Sequence, residues 1–313
     1  MTPEVFGEWL RRQGNMVVCS GDDVWFELGG RVLQHFPTHL EIDPADGTAA
    51  DVLKRSRALA LRYCASPSSL CGMPSYYVGF RQERYGYECL GHRTRKNVRK
   101  GLRHASVRPI SFEDLADKGW ALFEDTLARQ RRGLTRTRQQ WAQRCRTAAD
   151  LLGFEAWGAF IQGELAGSLL TFSMPDCCYL VQQQSRSDAL ALNVNNALTF
   201  TVMSELSERS PGALFVYGLG SLDAGPGVDE FKFHMGFEAV PVKQRVIFHP
   251  AIPPAVLHAG HLIVRGLAAR RRTSGSLNKV EGLLRFALAS GEGQAQEQAP
   301  APERKTSGSP AGS

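Results

Sequence analysis

Val228-Asp-Glu-Phe-Lys-Phe-His-Met-Gly-Phe237 is the stretch from which the fold is read. On a short helix, Phe231 and Met235 share one side, four residues apart, and Lys232 falls on another. Gly236 is suited to end such a helix, and Phe237 to return the chain to the core. The surroundings extend the pattern. Ala213–Gly218 is apolar without alternation, as a buried central strand would be, and Glu238–Phe248 predicts a final strand. Ala191–Ser207 carries Val194, Leu198, Val202 and Leu206 at four-residue spacing, one apolar helical face. Upstream, Phe154–Ile161, Leu165–Phe172 and Cys178–Gln184 read as strands, with turn signals at Gln162-Gly163-Glu164 and Met174-Pro175-Asp176. Ser111, with Asp114 three residues on, predicts a helix N-terminus; helical patterning then runs to about Leu152 with a break near Gly133. The order is helix, three antiparallel strands, helix, strand, short helix, strand. This is an α/β (α+β) unit, a mixed central sheet flanked by helices, with its parallel crossovers late.

The first 110 residues show a similar alternation. Within residues 16–36, Met16–Cys19 and Val24–Leu28 read as two strands; Ala49–Cys64 reads as a helix and Ser75–Phe80 as a strand. His92–His104 reads as a helix and Ser106–Ile110 as a strand. Beyond Pro250, Pro253–Arg272 and Leu277–Ser290 predict two helices. After Ser290 no apolar period survives among Gly, Gln, Ala, Pro and Ser, so residues 291–313 are expected to be a disordered tail.

Composition narrows the class. With 43% hydrophobic and 22% charged residues in 313, neither a disordered chain nor a membrane-spanning one is indicated. No run approaches the roughly 18 apolar residues a spanning helix needs, so no integral membrane segment is expected. The N-terminus has acidic residues and no long apolar run, which is unlike a signal peptide. The seven cysteines form no disulfide-like framework, and a cytoplasmic protein with reduced thiols is expected. His and Cys lack ligand spacing, so no metal site is expected. The net charge of +6 points to an anionic partner: phosphate groups, a nucleotide, RNA or an acidic membrane surface.

Four stretches together resemble the Fem-type (FemAB-like) peptidyltransferases and BioF-like acetyltransferases of the GNAT superfamily. They are the basic helix Arg93-Thr-Arg-Lys-Asn-Val-Arg-Lys-Gly-Leu-Arg103, the hairpin Trp157-Gly-Ala-Phe-Ile-Gln-Gly-Glu-Leu-Ala-Gly-Ser168, the helix entry Asn193-Val-Asn-Asn-Ala-Leu198, and Glu230-Phe-Lys-Phe-His-Met-Gly-Phe237. The resemblance implies a GNAT-like acyl-CoA N-acyltransferase fold. It implies a reduced N-terminal GNAT-like lobe (1–110) and a C-terminal GNAT-like acyltransferase domain (111–249), beyond which the patterning above adds a helical extension (250–290) and the tail (291–313). It implies an N-acyltransferase moving an acetyl or longer acyl group from acyl-CoA, a cosubstrate and not a permanently bound cofactor, onto an amine. The amine would belong to a small molecule or a cell-envelope precursor. Two alternatives stay open: a Fem-like aminoacyltransferase using aminoacyl-tRNA and a cell-wall precursor, and a non-catalytic binding module on the same fold.

Candidate residues follow. By resemblance Lys232 lies at the reaction centre or contacts substrate phosphate, where its charge can stabilise a tetrahedral oxyanion; the plain reading is a surface lysine. No tyrosine occurs between 228 and 237, so Tyr217 and His234 are the available proton donors, while Asp223, Asp229 and Glu230 are acids with no spacing that singles one out. The junction 182–196 offers Gln183, Gln184, Asn193, Asn195 and Asn196 for a ligand at a helix N-terminus. It lacks the Arg/Gln-x-x-Gly-x-Gly/Ala loop usual for acetyl-CoA, and its asparagines are also ordinary caps. Arg95 and Arg99 belong to a helix with six cations in eleven residues, either a phosphate grip or a solvated face. No Ser-His or Cys-His nucleophile is legible, which favours direct attack by the amine.

Overall fold

The computed structural model describes residues 1–130, 132–220, 229–270 and 275–297. In chain order the elements are α1 (Pro3–Arg11), β1 (Val17–Ser20), β2 (Asp23–Gly29), β3 (Val32–Phe36), α2 (Thr48–Arg55), β4 (Ala60–Ala65), β5 (Met73–Phe80), α3 (His92–His104) and β6 (Ser106–Ile110). Then come α4 (Phe112–Arg129), α5 (Arg138–Arg146), β7 (Phe154–Ile161), β8 (Glu164–Ser173), β9 (Cys177–Ser185), α6 (Val194–Arg209) and β10 (Leu214–Leu219). The last are α7 (Glu230–His234), β11 (Glu238–Phe248), α8 (Pro254–Arg270) and α9 (Gly275–Glu297).

From residue 106 to 248 the elements follow the patterned expectation because local signals and packing agree. The Ser111 side chain accepts the Asp114 amide at 3.0 Å, capping α4. Between β7 and β8, Gln162 and Gly163 both take positive φ (52° and 83°), the two-residue turn whose twist matches an antiparallel hairpin.

Three expectations are corrected. Residues 16–36 hold a third strand, β3, beyond the two expected. Ala49–Cys64 is not one helix: α2 stops at Arg55 and β4 begins at Ala60. Ala58-Leu59-Ala60-Leu61-Arg62 consists of good helix formers, but β4 is sandwiched between β3 and β11, and Ala60, Leu61, Tyr63, Cys64 and Ala65 are all buried. Burial on both faces removes the alternation that marks a strand, and packing overrides propensity. Finally, α9 continues to Glu297, into the stretch expected to be irregular; residues 298–313 lie outside the described residues.

The eleven strands among the described residues form one mixed sheet in the order β1-β2-β3-β4-β11-β5-β10-β9-β8-β7-β6. Its middle is an exchange. β11 lies between β4 and β5, antiparallel to both, from Phe248 opposite Ala60 to Glu238 opposite Gly79. β5 in turn lies between β11 and β10. Elements before and after residue 110 thus complete each other's hydrogen-bond ladders. On one face α3 and α6 bury Val98, Leu198 and Val202 against Trp157, Leu169, Phe215 and Phe237. On the other, Phe6, Trp9 and Phe36 pack with Phe154, Phe172 and Tyr179.

His39 follows β3 and shares a 2.6 Å hydrogen bond with the Tyr179 hydroxyl. Burial, with a smaller contribution from the Arg81 charge, holds its pKa down to about 4. The folded state therefore resists the proton that the unfolded chain takes up near pH 6.5. Stability is complete above that pH, falls as pH drops from 6.5 to about 4, and levels off below, a loss of roughly 3 kcal/mol. Urea unfolding at a series of pH values checks this. His39→Gln is expected to flatten that limb; an unchanged limb would assign it elsewhere.

Candidate active site

The sheet opens between β9 and β10. Their parallel pairing covers Leu214–Val216 against Cys177–Tyr179 and goes no further. Beyond it β9 follows β8 and β10 follows β5, so two side chains meet across the gap. The Tyr217 hydroxyl donates to Gln183 Oε1. The same oxygen accepts from Thr199 Oγ1 of α6 at 3.1 Å. Gln183 Nε2 is buried with no hydrogen-bond partner among the described residues. Burial pushes the Tyr217 phenol well above its ordinary pKa, so it stands as a neutral donor.

A bulge in β9 decides which glutamine takes part. The register with β8 skips Val181, leaving Gln182 opposite Leu170 and Leu180 opposite Thr171. Gln183 then faces α6, while Gln182 and Gln184 border a small cleft with Arg144 and Cys145 of α5. Gln182 accepts from Arg144 Nε at 3.2 Å. The pairing of Gln183 and Gln184 in one site is therefore corrected: alternation sends neighbouring strand residues to opposite faces.

α7 supplies the charge. Lys232 Nζ lies 2.7 Å from Asp229 Oδ1, with side-chain exposures of 20% and 7%. It also sits 5.0 Å from the centroid of the Tyr217 ring. On its other oxygen Asp229 accepts from the Tyr76 hydroxyl at 2.9 Å. Burial, then the hydrogen bond to Asp229, raises the Tyr76 pKa as well. The turn that holds Lys232 is fixed by its end. Phe237 N–H donates to Lys232 O and Gly236 N–H to Phe233 O, with Gly236 at φ 87°, a paired cap that needs glycine. A Cβ on Gly236 would also come within 2.9 Å of the Cys89 carbonyl oxygen. That close approach sets the start of α3 beside α7.

The remaining candidates divide. Asn196 reaches α7, its Nδ2 3.3 Å from Met235 Sδ. Asn195 Oδ1 is buried without a partner among the described residues. Asn193 takes left-handed backbone (φ 59°) and makes no side-chain cap, so its residue type answers a conformational need, not a capping one. The α6 entry is tightly covered. A Cβ on Gly101 of α3 would lie 2.5 Å from Asn193 O, and Lys100 Nζ donates to Ala191 O at 2.8 Å. Arg95 donates to Leu90 O at 2.8 Å, and Arg99 stacks 5.3 Å from the Tyr87 ring centroid. These contacts hold α3; neither arginine joins the Lys232 network. His234 is exposed, and Asp223 and Val228 lie outside the described residues. Tyr76 and Thr199 join the site without any sequence signal, because their partners lie on other elements.

The arrangement has a definite chemistry. An ammonium is fixed by a nearly buried carboxylate, beside two neutral phenols, where two parallel strands separate. It can oppose negative charge forming on an oxygen and donate a hydrogen bond nearby. Burial pushes the Cys64, Cys145, Cys177 and Cys178 thiols up to about 12, far from nucleophilic thiolates. No group of three or more potential metal ligands occurs among the described residues.

No protein-family model matches the chain, and no curated protein matches it in sequence. Solved structures do match its fold. FemX superposes with a TM-score of 0.55 at 10% identity, over 77% of this chain and 90% of FemX. A DUF2156 domain from Agrobacterium fabrum gives 0.53 at 12% identity, over 76% of this chain and 85% of that one. L-PGS from Bacillus licheniformis gives 0.50 at 10%, over 75% and 85%.

Proposed function

We propose that this chain, whose fold is the GNAT-like fold of the Fem type, is an N-acyltransferase that moves an acyl group from an activated, phosphate-bearing donor onto an amine. The observation that carries the reading is the Lys232 ammonium, held by Asp229 over Tyr217 at the mouth of the β9–β10 gap. A neutral amine attacks the acyl carbonyl directly. Lys232 stabilises the oxyanion that forms, a contribution that exists only in the transition state. As the C–N bond forms and the bond from the carbonyl carbon to the donor breaks, the proton lost by the amine nitrogen passes to the departing sulfur or oxygen, to which Tyr217, itself staying protonated, donates a hydrogen bond. Asp229 and Tyr76 act through Lys232 by fixing its ammonium.

Acyl-CoA is the preferred donor, its phosphates met by cations of α3 and its approach guided by Asn195 and Asn196. A second reading, aminoacyl-tRNA with a cell-wall precursor as acceptor, draws on two observations. Arg93, Lys96 and Arg103 are exposed on α3, and none of its cations is in an ion pair among the described residues. Tyr217 and Gln183 also bridge the gap, so a slender thioester chain entering there has to part them. Melting curves with acetyl-CoA, longer acyl-CoAs and charged tRNA separate the cases. At a hundredfold excess over Kd, the true donor adds about 2.7 kcal/mol, a rise of several degrees. We expect that rise with an acyl-CoA. A response to charged tRNA alone, falling steeply with salt, moves the donor to the second reading. No response to either leaves a binding module without chemistry.

A further inference from the structure

The C-terminal hairpin has a surface that the transfer site does not use. α9 seats Phe286 and Ala287 against Val32, Ala60 and Val246 of the sheet. α8 packs on α9 through Gly260, which faces Leu284, and His261, whose Nε2 lies 3.1 Å from Glu281 Oε1. At 100° per residue, Ala259, Leu262 and Ile263 then fall on the far side of α8, with Val256 and Leu267 at the edge of that face. All five are exposed, Leu262 at 69% and Ile263 at 64%. His258 and Arg265 border this apolar face on one edge. A continuous apolar face without a partner is unusual for a soluble surface and marks a contact.

Charge identifies the contact. From Pro250 to Val280 the chain has no acidic residue, while it holds Arg265, the run Arg270-Arg271-Arg272 and Lys279. A second copy docking here would oppose two cationic, acid-free segments with no carboxylate between them. Residues 291–313 contain no Leu, Ile, Val, Phe, Met, Tyr or Trp, and so offer no large apolar side chain to this face. An anionic bilayer supplies both missing parts, an apolar layer and negative headgroups. We propose that α8 docks the protein on an anionic lipid surface, lying in its plane with Val256, Leu262, Ile263 and Leu267 in the acyl boundary and Arg265 among the headgroups. Its 17 residues span about 25 Å. No helix among the described residues is long and apolar enough to cross a membrane, so the helix lies on the surface.

The test sediments the full chain with phosphatidylcholine vesicles that contain or lack phosphatidylglycerol. Binding is expected to the anionic vesicles only, and to weaken at high salt. Leu262→Asp/Ile263→Asp is expected to lower the affinity at least about tenfold, with an unchanged melting point because both side chains are exposed. Arg265→Glu, which leaves the apolar face intact, is expected to weaken binding less. The proposal is overturned by no binding to either vesicle, by equal binding to both, or by wild-type binding of the Leu262/Ile263 variant. It is overturned equally if light scattering finds a dimer that this variant dissociates.

Discussion

Lys232→Met is expected to lower transfer from the donor identified by melting curves by a factor of about 10²–10³, the size of effect seen when a single oxyanion donor is removed. The loss falls on turnover at saturating donor, because the charge matters to the transition state more than to the bound ground state. Stability changes too, and for a separable reason. Asp229, only 7% exposed, keeps Tyr76 and loses its ion-pair partner, which costs about 1–3 kcal/mol. Asp229→Asn combined with Lys232→Met removes the stray charge, so it recovers most of the melting point and none of the activity. A structural lysine would behave oppositely, with activity returning alongside stability. Turnover of Lys232→Met within a fewfold of wild type would remove Lys232 from the chemistry.

The second large effect concerns the union of the two halves. Phe36 of β3 is buried between Phe6, ring centroids 4.1 Å apart, and Tyr179 of β9 at 4.7 Å. Phe36→Ala leaves a cavity where elements from before residue 110 meet the β8–β9 hairpin, and is expected to cost about 3–5 kcal/mol. Because β5 and β11 are exchanged within one sheet, unfolding stays a single transition in urea, followed both by tryptophan fluorescence and by far-ultraviolet circular dichroism. Two separated transitions, or a loss below about 1 kcal/mol, would mean that the halves are coupled far more weakly than their packing indicates.

What could be read in advance follows from where each signal resides. The hairpin at Gln162-Gly163, the Ser111 cap and the four-residue repeat of α6 are local, so the residues themselves announce them. β4 is legible only from its neighbours: Ala60–Ala65 has helix-forming composition and becomes a strand because β3 and β11 flank it. The exchange of β5 and β11 is more remote still, since nothing in either strand names its partner. The site divides in the same way. Lys232 is named from the resemblance of its surroundings to Fem-type enzymes, Tyr217 as an available proton donor at the end of a buried strand, and Gln183 from the junction 182–196 between a strand and the next helix. Tyr76 lies 153 residues from Asp229, and only the folded sheet brings their side chains to 2.9 Å. Gln183 and Gln184 part because alternation sends strand neighbours to opposite faces, and the bulge at Val181 sets which of them faces α6. Arg95 and Arg99 are named from charge alone, and only the fold shows that Arg95 donates to Leu90 O and that Arg99 lies over the Tyr87 ring.

The most direct test of the central claim follows an isotope-labelled acyl group from acyl-CoA, and separately from charged tRNA, into a panel of amines by mass spectrometry. Wild-type protein is expected to place the label in an amide product, with no labelled protein at any time point, and Lys232→Met to form that product about 10²–10³ times more slowly. Label trapped on the protein would contradict direct attack, and no amide from either donor would contradict acyl transfer itself.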